Sequence, residues 1–540
     1  MNSGRVWGEP PNTMNDTLPS RDTARNEFTG VPGHASSGHT NHKVAHLFIN
    51  NTFVMSKSKS WTTVLDPATQ SLGARVPDST PQEIQQAVNA AQAAQPEWEN
   101  LGFFDRRDCL LKLGGILKEM APAISAFLRR EVGKIPAEAD SEVFRGLDSI
   151  YAACSIGPEM AGAYIGSDPT ILQTVYEPLV GILNQHGWLQ GTDQGVYQGV
   201  CVSITPFSYP FMIPLWSTPY ALITGNTVVL KPSEKTPSVS WLLAEAFIKA
   251  GFPPGVFNII HGTAATAQLL VTQPAVKAVN FVGSESAAKQ VHDLAQRDGK
   301  RVQAECGGKN HGVVVEDAGM MPTLFAIAGS AFGAAGQRCM GLNVVVFVGN
   351  TREWIPKLIE LAESMVLGCD GDEAAQIGPL IDRAAKDNVV GIIDRAVEEG
   401  AMLLLDGRHA HVPDYPRANF LGPTVLIGIE TYMECYQTQV FGPVLICMQV
   451  GNLDEAIQLI NENKYGHSCT IFTSSGKSAH TFQRRVNIGQ VGVNIPLVAP
   501  YGTAVRTSNK DSFLGDRPAP GKSHWPFYTV TKTVSSKWVE

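Results

Sequence analysis

From Val200 onward the chain alternates short apolar runs with helix-length stretches, and no other feature constrains its fold as tightly. Residues 200–205, 227–230, 256–260 and 278–281 are apolar runs of strand length, and 238–250 and 264–272 between them carry helical patterns. Strands separated by helices need crossover connections, which build a parallel sheet covered on both faces. A second alternating set follows at 311–315, 344–348, 402–405, 444–450, 470–473 and 490–493. The spacing therefore predicts an α/β protein with two doubly wound domains, and no internal repeat relates them. Upstream, 46–49 and 52–55 read as strands around an Asn50-Asn51 turn. Thr80-Pro81-Gln82-Glu83 predicts a helix start, with Thr80 at the N-cap, proline in the first position and a carboxylate in the third. Further helices run to about Cys154.

The 540 residues carry 42 Lys+Arg against 50 Asp+Glu, a net charge of −8, and only 17% are charged. A mildly acidic chain offers nucleic acid no basic face. Its apolar content of 44% excludes a disordered acidic protein. Part of the charge deficit is local: 197–230 and 318–337 hold no charged residue. Prolines 206, 210, 214 and 219 interrupt the first stretch, and Ala and Gly dominate the second, so neither makes a sustained membrane span. Both read as buried walls beside a ligand. Nine cysteines without a CxxC pair exclude a disulfide framework and make a zinc site or other metal site unexpected. They point to a reducing compartment, with one thiol a candidate nucleophile. Residues 1–42 read as a disordered tail without an apolar signal core. Glu9, Asp16, Asp22 and Glu27 offset Arg5, Arg21 and Arg25 there, a poor fit to a mitochondrial presequence.

Four segments carry candidate chemistry. Cys339 lies in the glycine-rich Gly333-Ala-Ala-Gly-Gln-Arg-Cys-Met-Gly341. The glycines allow close ligand approach, and the neighbouring Arg338 favours the thiolate. Taken alone, the segment fits a buried structural cysteine in a glycine-rich turn better than a nucleophile. Glu305 enters the Gly307-Gly308 turn just before a buried strand, where a carboxylate is costly unless used or paired; it is a candidate general base or a solvated loop residue. Phe281-Val-Gly-Ser284 reads as a strand end, turn and helix start. Ser284 can cap that helix, and its N-terminus can hold a phosphate. Lys231 and Glu234 in Val229-Leu-Lys-Pro-Ser-Glu-Lys235 fall at a carboxyl edge of the sheet, where ligands bind in such folds, or in a merely polar loop. A GxGxxG fingerprint is missing.

Taken in order, these segments resemble the aldehyde dehydrogenase superfamily: Thr205-Pro-Phe-Ser-Tyr-Pro210, Gly225-Asn-Thr-Val-Val-Leu-Lys-Pro-Ser-Glu234, Phe281-Val-Gly-Ser284, Glu305-Cys-Gly-Gly-Lys309, Gly336-Gln-Arg-Cys339 and Phe441-Gly-Pro443. The likeness covers about residue 44 to the C-terminus. Lys309-Asn-His-Gly-Val-Val314, Phe144-Arg-Gly146 and Gly489-Gln-Val-Gly-Val-Asn494 make it closest to the CoA-acylating methylmalonate-semialdehyde dehydrogenases.

The resemblance implies a cysteine nucleophile at Cys339, NAD as cofactor, and a thioester released to coenzyme A or to water. It implies cofactor contacts at Thr205, Phe207, Lys231, Ser233, Glu234, Lys235, Gly283, Ser284, Gln439 and Phe441. Glu234 facing a ribose would repel a 2′-phosphate and favour NAD over NADP. Arg145 and Arg338 match positions that hold a substrate carboxylate, for which paired guanidiniums are apt. The implied layout is a NAD-binding domain over 43–160 and 198–306, a bridging and oligomerisation segment over 161–197, a catalytic domain over 307–510 and an oligomerisation strand over 511–540. A homodimer or homotetramer follows. So does a mitochondrial location, against the cytoplasmic one the tail composition favours.

Three positions depart from the family. Ser208 stands where an Asn amide helps hold the oxyanion. Losing one such donor costs about 2.7–4 kcal/mol of barrier. Gln439 replaces the Glu that holds the nicotinamide ribose. Glu305 stands where the acylating class carries Asn, and suits activation of water. The stretch 165–198 is also longer than its family counterpart, and 168–186 has no partner in it. Oxidation of a short carboxylated aldehyde to an acyl-CoA is therefore the leading expectation. Hydrolytic release through Glu305 is a second, and a weakened paralogue that keeps its fold and nucleotide site is a third.

Overall fold

Val200–Ile204 and Thr227–Lys231 are buried at every residue, the pattern of parallel strands with both faces covered. They stand at the centre of an eight-stranded sheet. Across it the order is Thr52–Val54, Leu47–Ile49, Phe257–Ile259, Thr227–Lys231, Val200–Ile204, Val276–Val282, Arg301–Glu305 and Phe513–Gly515. The five strands from Phe257–Ile259 to Arg301–Glu305 are parallel. In chain order they lie third, second, first, fourth and fifth. That is the doubly wound order, whose winding reverses between Val200–Ile204 and Val276–Val282 and opens a crevice beyond their carboxyl ends.

The computed structural model describes residues 44–160, 163–168, 171–176, 199–497, 508–516, 525–530 and 532–537, all within one unit, His42–Glu540. The predicted tail over 1–42 lies outside them, as does most of the long stretch after 176.

Several local signals act as the sequence predicts. Asn50 and Asn51 both take positive φ, 55° and 57°, the requirement of a two-residue hairpin turn. Thr80 caps Pro81–Asn100 in a full capping box with Glu83. The uncharged stretch 197–230 contains the helix Met212–Ile223, whose 12 residues are all buried. Pro219 within it costs roughly 3 kcal/mol, but each large apolar side chain buried there returns roughly 1.5–3 kcal/mol, so burial prevails. The second uncharged stretch holds Met320–Phe332 and ends in the turn just before Arg338 and Cys339. Among the described residues, no helix is long and apolar enough to cross a membrane.

A second sheet runs Met402–Leu405, Thr424–Ile427, Val444–Val450, Leu342–Val348, Asn310–Val314, Ser468–Phe472 and Gln490–Val493. All of its strands are parallel except the first, an antiparallel edge. The chain leaves the first sheet at Glu305 and enters the second at Asn310. Four residues, Cys306 to Lys309, therefore join the carboxyl edge of one sheet to the amino edge of the other. One detail differs from the sequence reading: Glu305 is the last residue of a strand, paired with Val282 and Phe513, rather than a loop residue. The Arg, Gln and Glu of Arg301–Glu305 hide it, since they suppress the apolar run by which its neighbours are recognised.

A third sheet pairs Ala163–Asp168 with Ile171–Tyr176 and Ile171–Tyr176 with Lys532–Lys537, both antiparallel. The bridging segment and the C-terminal strand thus form one element.

Candidate active site

The crevice at the carboxyl edge of the first sheet gathers most of the predicted cofactor residues. Thr205 follows Val200–Ile204 directly, and its N–H donates to the Lys231 carbonyl at 3.1 Å. Its Oγ1 is buried with no hydrogen-bond partner among the described residues, which is costly unless a ligand supplies one. Lys231 ends the adjacent strand. Its ammonium donates to the Gly262 carbonyl at 2.6 Å and lies 3.7 Å from the Glu234 carboxylate, which is 30% exposed. Burial pushes Lys231 below the ordinary lysine range, although Glu234 and Asp78 pull the other way. Ser233 folds this loop by accepting from the Lys235 N–H at 3.2 Å. The Lys235 ammonium pairs with Asp382 at 2.6 Å and lies 5.2 Å from the centre of the Phe207 ring. Across the crevice, the Gly283 N–H donates to the Glu305 carbonyl at 3.1 Å. Ser284 is the N-cap of Glu285–Arg297, accepting from Ala287 N–H at 3.4 Å. These N-terminal amides suit an anionic group.

Cys339 is half-buried and sits at the amino edge of the second sheet, three residues before Leu342–Val348. The turn leading to it is left-handed: Ala334 and Ala335 both have φ 51°, and Gly336 has φ 69°. Each non-glycine residue held so costs roughly 1–3 kcal/mol, and such residues gather at functional sites. At 336 only glycine fits, because a Cβ there would lie 2.0 Å from the Gly442 carbonyl oxygen. The turn is thereby pressed against the Phe441-Gly442-Pro443 segment. On its other side, Asn310 Nδ2 donates to the Cys339 carbonyl at 2.8 Å and to that of Gly341 at 2.9 Å. The Asn310 Oδ1 accepts from the Ser468 N–H and hydroxyl.

Glu305, Gln439 and His467 converge on the Gly307-Gly308 link. Glu305 is buried, and its Oε2 lies 3.8 Å from His467 Nε2. A Cβ on Gly308 would lie 3.0 Å from the His467 Cβ and 3.4 Å from the Cys339 oxygen, and one on Gly307 2.6 Å from Gln439 Oε1. The Gln439 Nε2 is buried without a partner among the described residues. Phe441, at φ 55°, sets its ring edge-on to Phe207 with centroids 5.9 Å apart. Lys309 anchors the link by donating to the carbonyls of Cys435 and Thr438, and burial pushes its ammonium down to about 8.

Ser208 is buried beside Tyr209. Tyr209 lies close to both Cys339 and Arg338, and burial pushes its phenol up. The predicted substrate arginines differ in their surroundings. Arg338 donates to Glu138 at 2.7 Å, to the Gly329 carbonyl at 3.0 Å and to the Tyr209 oxygen. Burial pushes its guanidinium down, but Tyr209 and Glu138 outweigh that and raise it. Arg145 is half-buried on Pro136–Cys154, two helical turns beyond Glu138 and so on the same face. That helix also carries Glu142, which accepts from the N–H groups of Phe211 and Met212 and pairs with Lys134.

The predicted residues thus fall into two groups that the Glu305–Asn310 link joins: a crevice at the sheet edge with the orphaned Thr205 hydroxyl, and a thiol on a strained, anchored turn. Sequence reading passes over Glu138, Asn310, Lys309 and His467 as site residues. Lys309 and Asn310 carry one signal, polar character between a glycine pair and an apolar strand; Glu138, in the polar stretch 134–142, carries none.

Comparison with known proteins follows the same lines. The aldehyde dehydrogenase family profile matches residues 53–534. The mitochondrial methylmalonate-semialdehyde dehydrogenase [acylating] of Arabidopsis thaliana is 41% identical over 492 residues, 91% of this chain and 78% of the relative. The human mitochondrial methylmalonate-semialdehyde/malonate-semialdehyde dehydrogenase [acylating] is 39% identical over 511 residues, 94% of this chain and 91% of the relative. Among solved structures, a Sinorhizobium meliloti protein in complex with NAD, provisionally described as a methylmalonate-semialdehyde dehydrogenase, superposes with a TM-score of 0.87. It is 32% identical and covers 93% of this chain and 99% of its own. The methylmalonate-semialdehyde dehydrogenase of Oceanimonas doudoroffii gives 0.85 at 33% identity, covering 92% and 99%.

Proposed function

The chain belongs to the aldehyde dehydrogenase family, and from that premise we propose that it oxidises a short carboxylated aldehyde, of the malonate or methylmalonate semialdehyde kind, with NAD and passes the acyl group to coenzyme A. The observation that carries this reading is Cys339 on a strained turn, anchored by Asn310, beside a crevice whose orphaned Thr205 hydroxyl and Gln439 amide suit a dinucleotide. NAD would be held by Thr205, Phe207, Lys231, Ser233, Glu234, Lys235, Gly283, Ser284, Gln439 and Phe441. When bound, it supplies the two-electron acceptor for the oxidation.

The chain's own residues do the rest. The Cys339 thiolate attacks the aldehyde carbon to form a thiohemiacetal. The Ser208 hydroxyl and the Cys339 backbone N–H face the developing oxyanion, a role in which preorganised donors matter most. Arg145 attracts the substrate carboxylate, and Arg338 contributes positive charge from behind the turn. Oxidation leaves a thioester on Cys339, which the coenzyme A thiol attacks to release the acyl group and regenerate the thiol. The mitochondrial names of both curated relatives favour that compartment over the cytoplasm. The sheet joining Ile171–Tyr176 to Lys532–Lys537 suits assembly into a homodimer or homotetramer.

A second reading, release of the thioester to water, is favoured by one observation: buried Glu305 with His467 beside it. NADH formation from malonate semialdehyde, with and without coenzyme A, separates the two. Dependence on coenzyme A with an acyl-CoA product supports the first, and free acid at an unchanged rate supports the second. No NADH under either condition would overturn both.

A further inference from the structure

We propose that Glu138 is a positioning residue for Cys339: its carboxylate locks the left-handed turn at 334–336 and thereby sets where the thiol points. Glu138 lies in the first turn of Pro136–Cys154. A single oxygen, Oε1, accepts from the Ala334 N–H at 2.6 Å and from Arg338 Nη2 at 2.7 Å. These two donors bracket the turn. Ala334 is its first left-handed residue, and Arg338 is the residue immediately before the nucleophile.

The way the carboxylate is used separates this role from that of an ordinary ion pair. An arginine and a carboxylate left to themselves pair through both oxygens. Here the second oxygen, Oε2, is buried and has no hydrogen-bond partner among the described residues. The arrangement gives up a bidentate pair in order to place one oxygen between the arginine and a backbone amide. That backbone amide belongs to an alanine whose conformation L-residues avoid. The side chains of Glu138 and Arg338 are only 13% and 14% exposed, so water does not screen the contact as it does a surface pair. Arg338 is itself fixed by the Gly329 carbonyl and by Tyr209. With the carboxylate in place, the helix that carries Arg145 and the turn that carries Cys339 move together. Without it, Ala334 and Ala335 can relax toward the right-handed region and withdraw the thiol.

This inference rests on Cys339 as the nucleophile but not on which aldehyde is oxidised. Two variants of the full chain separate geometry from charge. Glu138→Gln keeps an oxygen at the same reach and drops the charge, whereas Glu138→Asp keeps the charge and shortens the reach by one methylene. The readouts are kcat and KM for malonate semialdehyde, and the rate at which iodoacetamide alkylates Cys339, followed on its peptide by mass spectrometry. The glutamine variant is expected to stay within about fivefold of the wild-type kcat, while the aspartate variant loses about 100-fold with little change in KM, the scale of a misplaced reacting group. Alkylation of Cys339 slows in the aspartate variant alone. Adding Ala334→Gly to Glu138→Asp restores about tenfold of the lost kcat, because glycine takes the left-handed conformation without steric cost. The proposal is overturned if aspartate is as active as glutamine, if KM alone rises, or if glycine at 334 gives no rescue. If the wild type turns over no semialdehyde, the functional reading fails, and the alkylation rates still decide the role of Glu138.

Discussion

At position 208 a hydroxyl stands where the family resemblance implies an amide, and in the proposed mechanism one donor is a large fraction of the oxyanion site. Ser208 is buried, so water does not make good what its short side chain lacks. Ser208→Asn is expected to raise kcat, by about 100- to 1,000-fold if the serine contributes nothing, with KM nearly unchanged. Steady-state kinetics check this, and an unchanged kcat would show that another donor already serves the oxyanion. The same scale shows what is legible from sequence. Cys339 and Glu305 announce themselves through the glycines beside them, and Phe441 only through the family resemblance. Glu138 and Asn310 do not, because their partners are distant in the chain: 196 residues separate Glu138 from Ala334, and 29 separate Asn310 from Cys339. Asn310, polar at the start of an apolar strand, signals that it has a partner without signalling which, and Glu138, among other polar residues, signals neither.

Elements whose ends are set by local chemistry match the sequence closely. The capping box at Thr80 is an example, and it reaches further than its spacing suggests. The buried Glu83 carboxylate accepts from the Thr80 N–H at 2.8 Å, the Lys57 N–H at 2.7 Å and the Ser56 hydroxyl at 2.9 Å. It therefore caps a helix and pins the preceding loop at once. Glu83→Ala strands three donors, each bonded to a charged group, and is expected to cost about 2–4 kcal/mol. The urea midpoint should fall while kcat at 25 °C holds; an unchanged midpoint would mean that water replaces the carboxylate. Arg301–Glu305 is the counter-example. Its strand character comes from parallel pairing with Val276–Val282 and antiparallel pairing with Phe513–Gly515, and neither neighbour leaves a mark in its own five residues.

Across the whole molecule, the proposed function follows from two mainly parallel sheets meeting edge to edge, one supplying the crevice and the other the thiol. The alternation of strands and helices makes both sheets legible. Their meeting at the Glu305–Asn310 link is not, since periodicity says nothing about how one sheet faces another. The cores that hold this arrangement bury neutral imidazoles. Burial pushes His261 and His311 down to about 3 from an ordinary 6.5. Between those values the unfolded chain binds protons that the folded chain does not, so stability falls as pH drops from 6.5 toward 3. Each histidine contributes about 1.4 kcal/mol per pH unit in the middle of that window. Urea midpoints at pH 7.5 and 5 check this, with a shallower decline expected for His311→Gln; equal midpoints at the two pH values would contradict it. The central claim is that Cys339 carries the acyl group and coenzyme A removes it. It is tested most directly by mixing enzyme, NAD and malonate semialdehyde without coenzyme A, then reading the mass of the Cys339 peptide before and after a coenzyme A chase. The account predicts an NAD-dependent acyl adduct on Cys339 that the chase discharges to acyl-CoA. An adduct on another cysteine, no adduct, or one lost as quickly in water alone would contradict it.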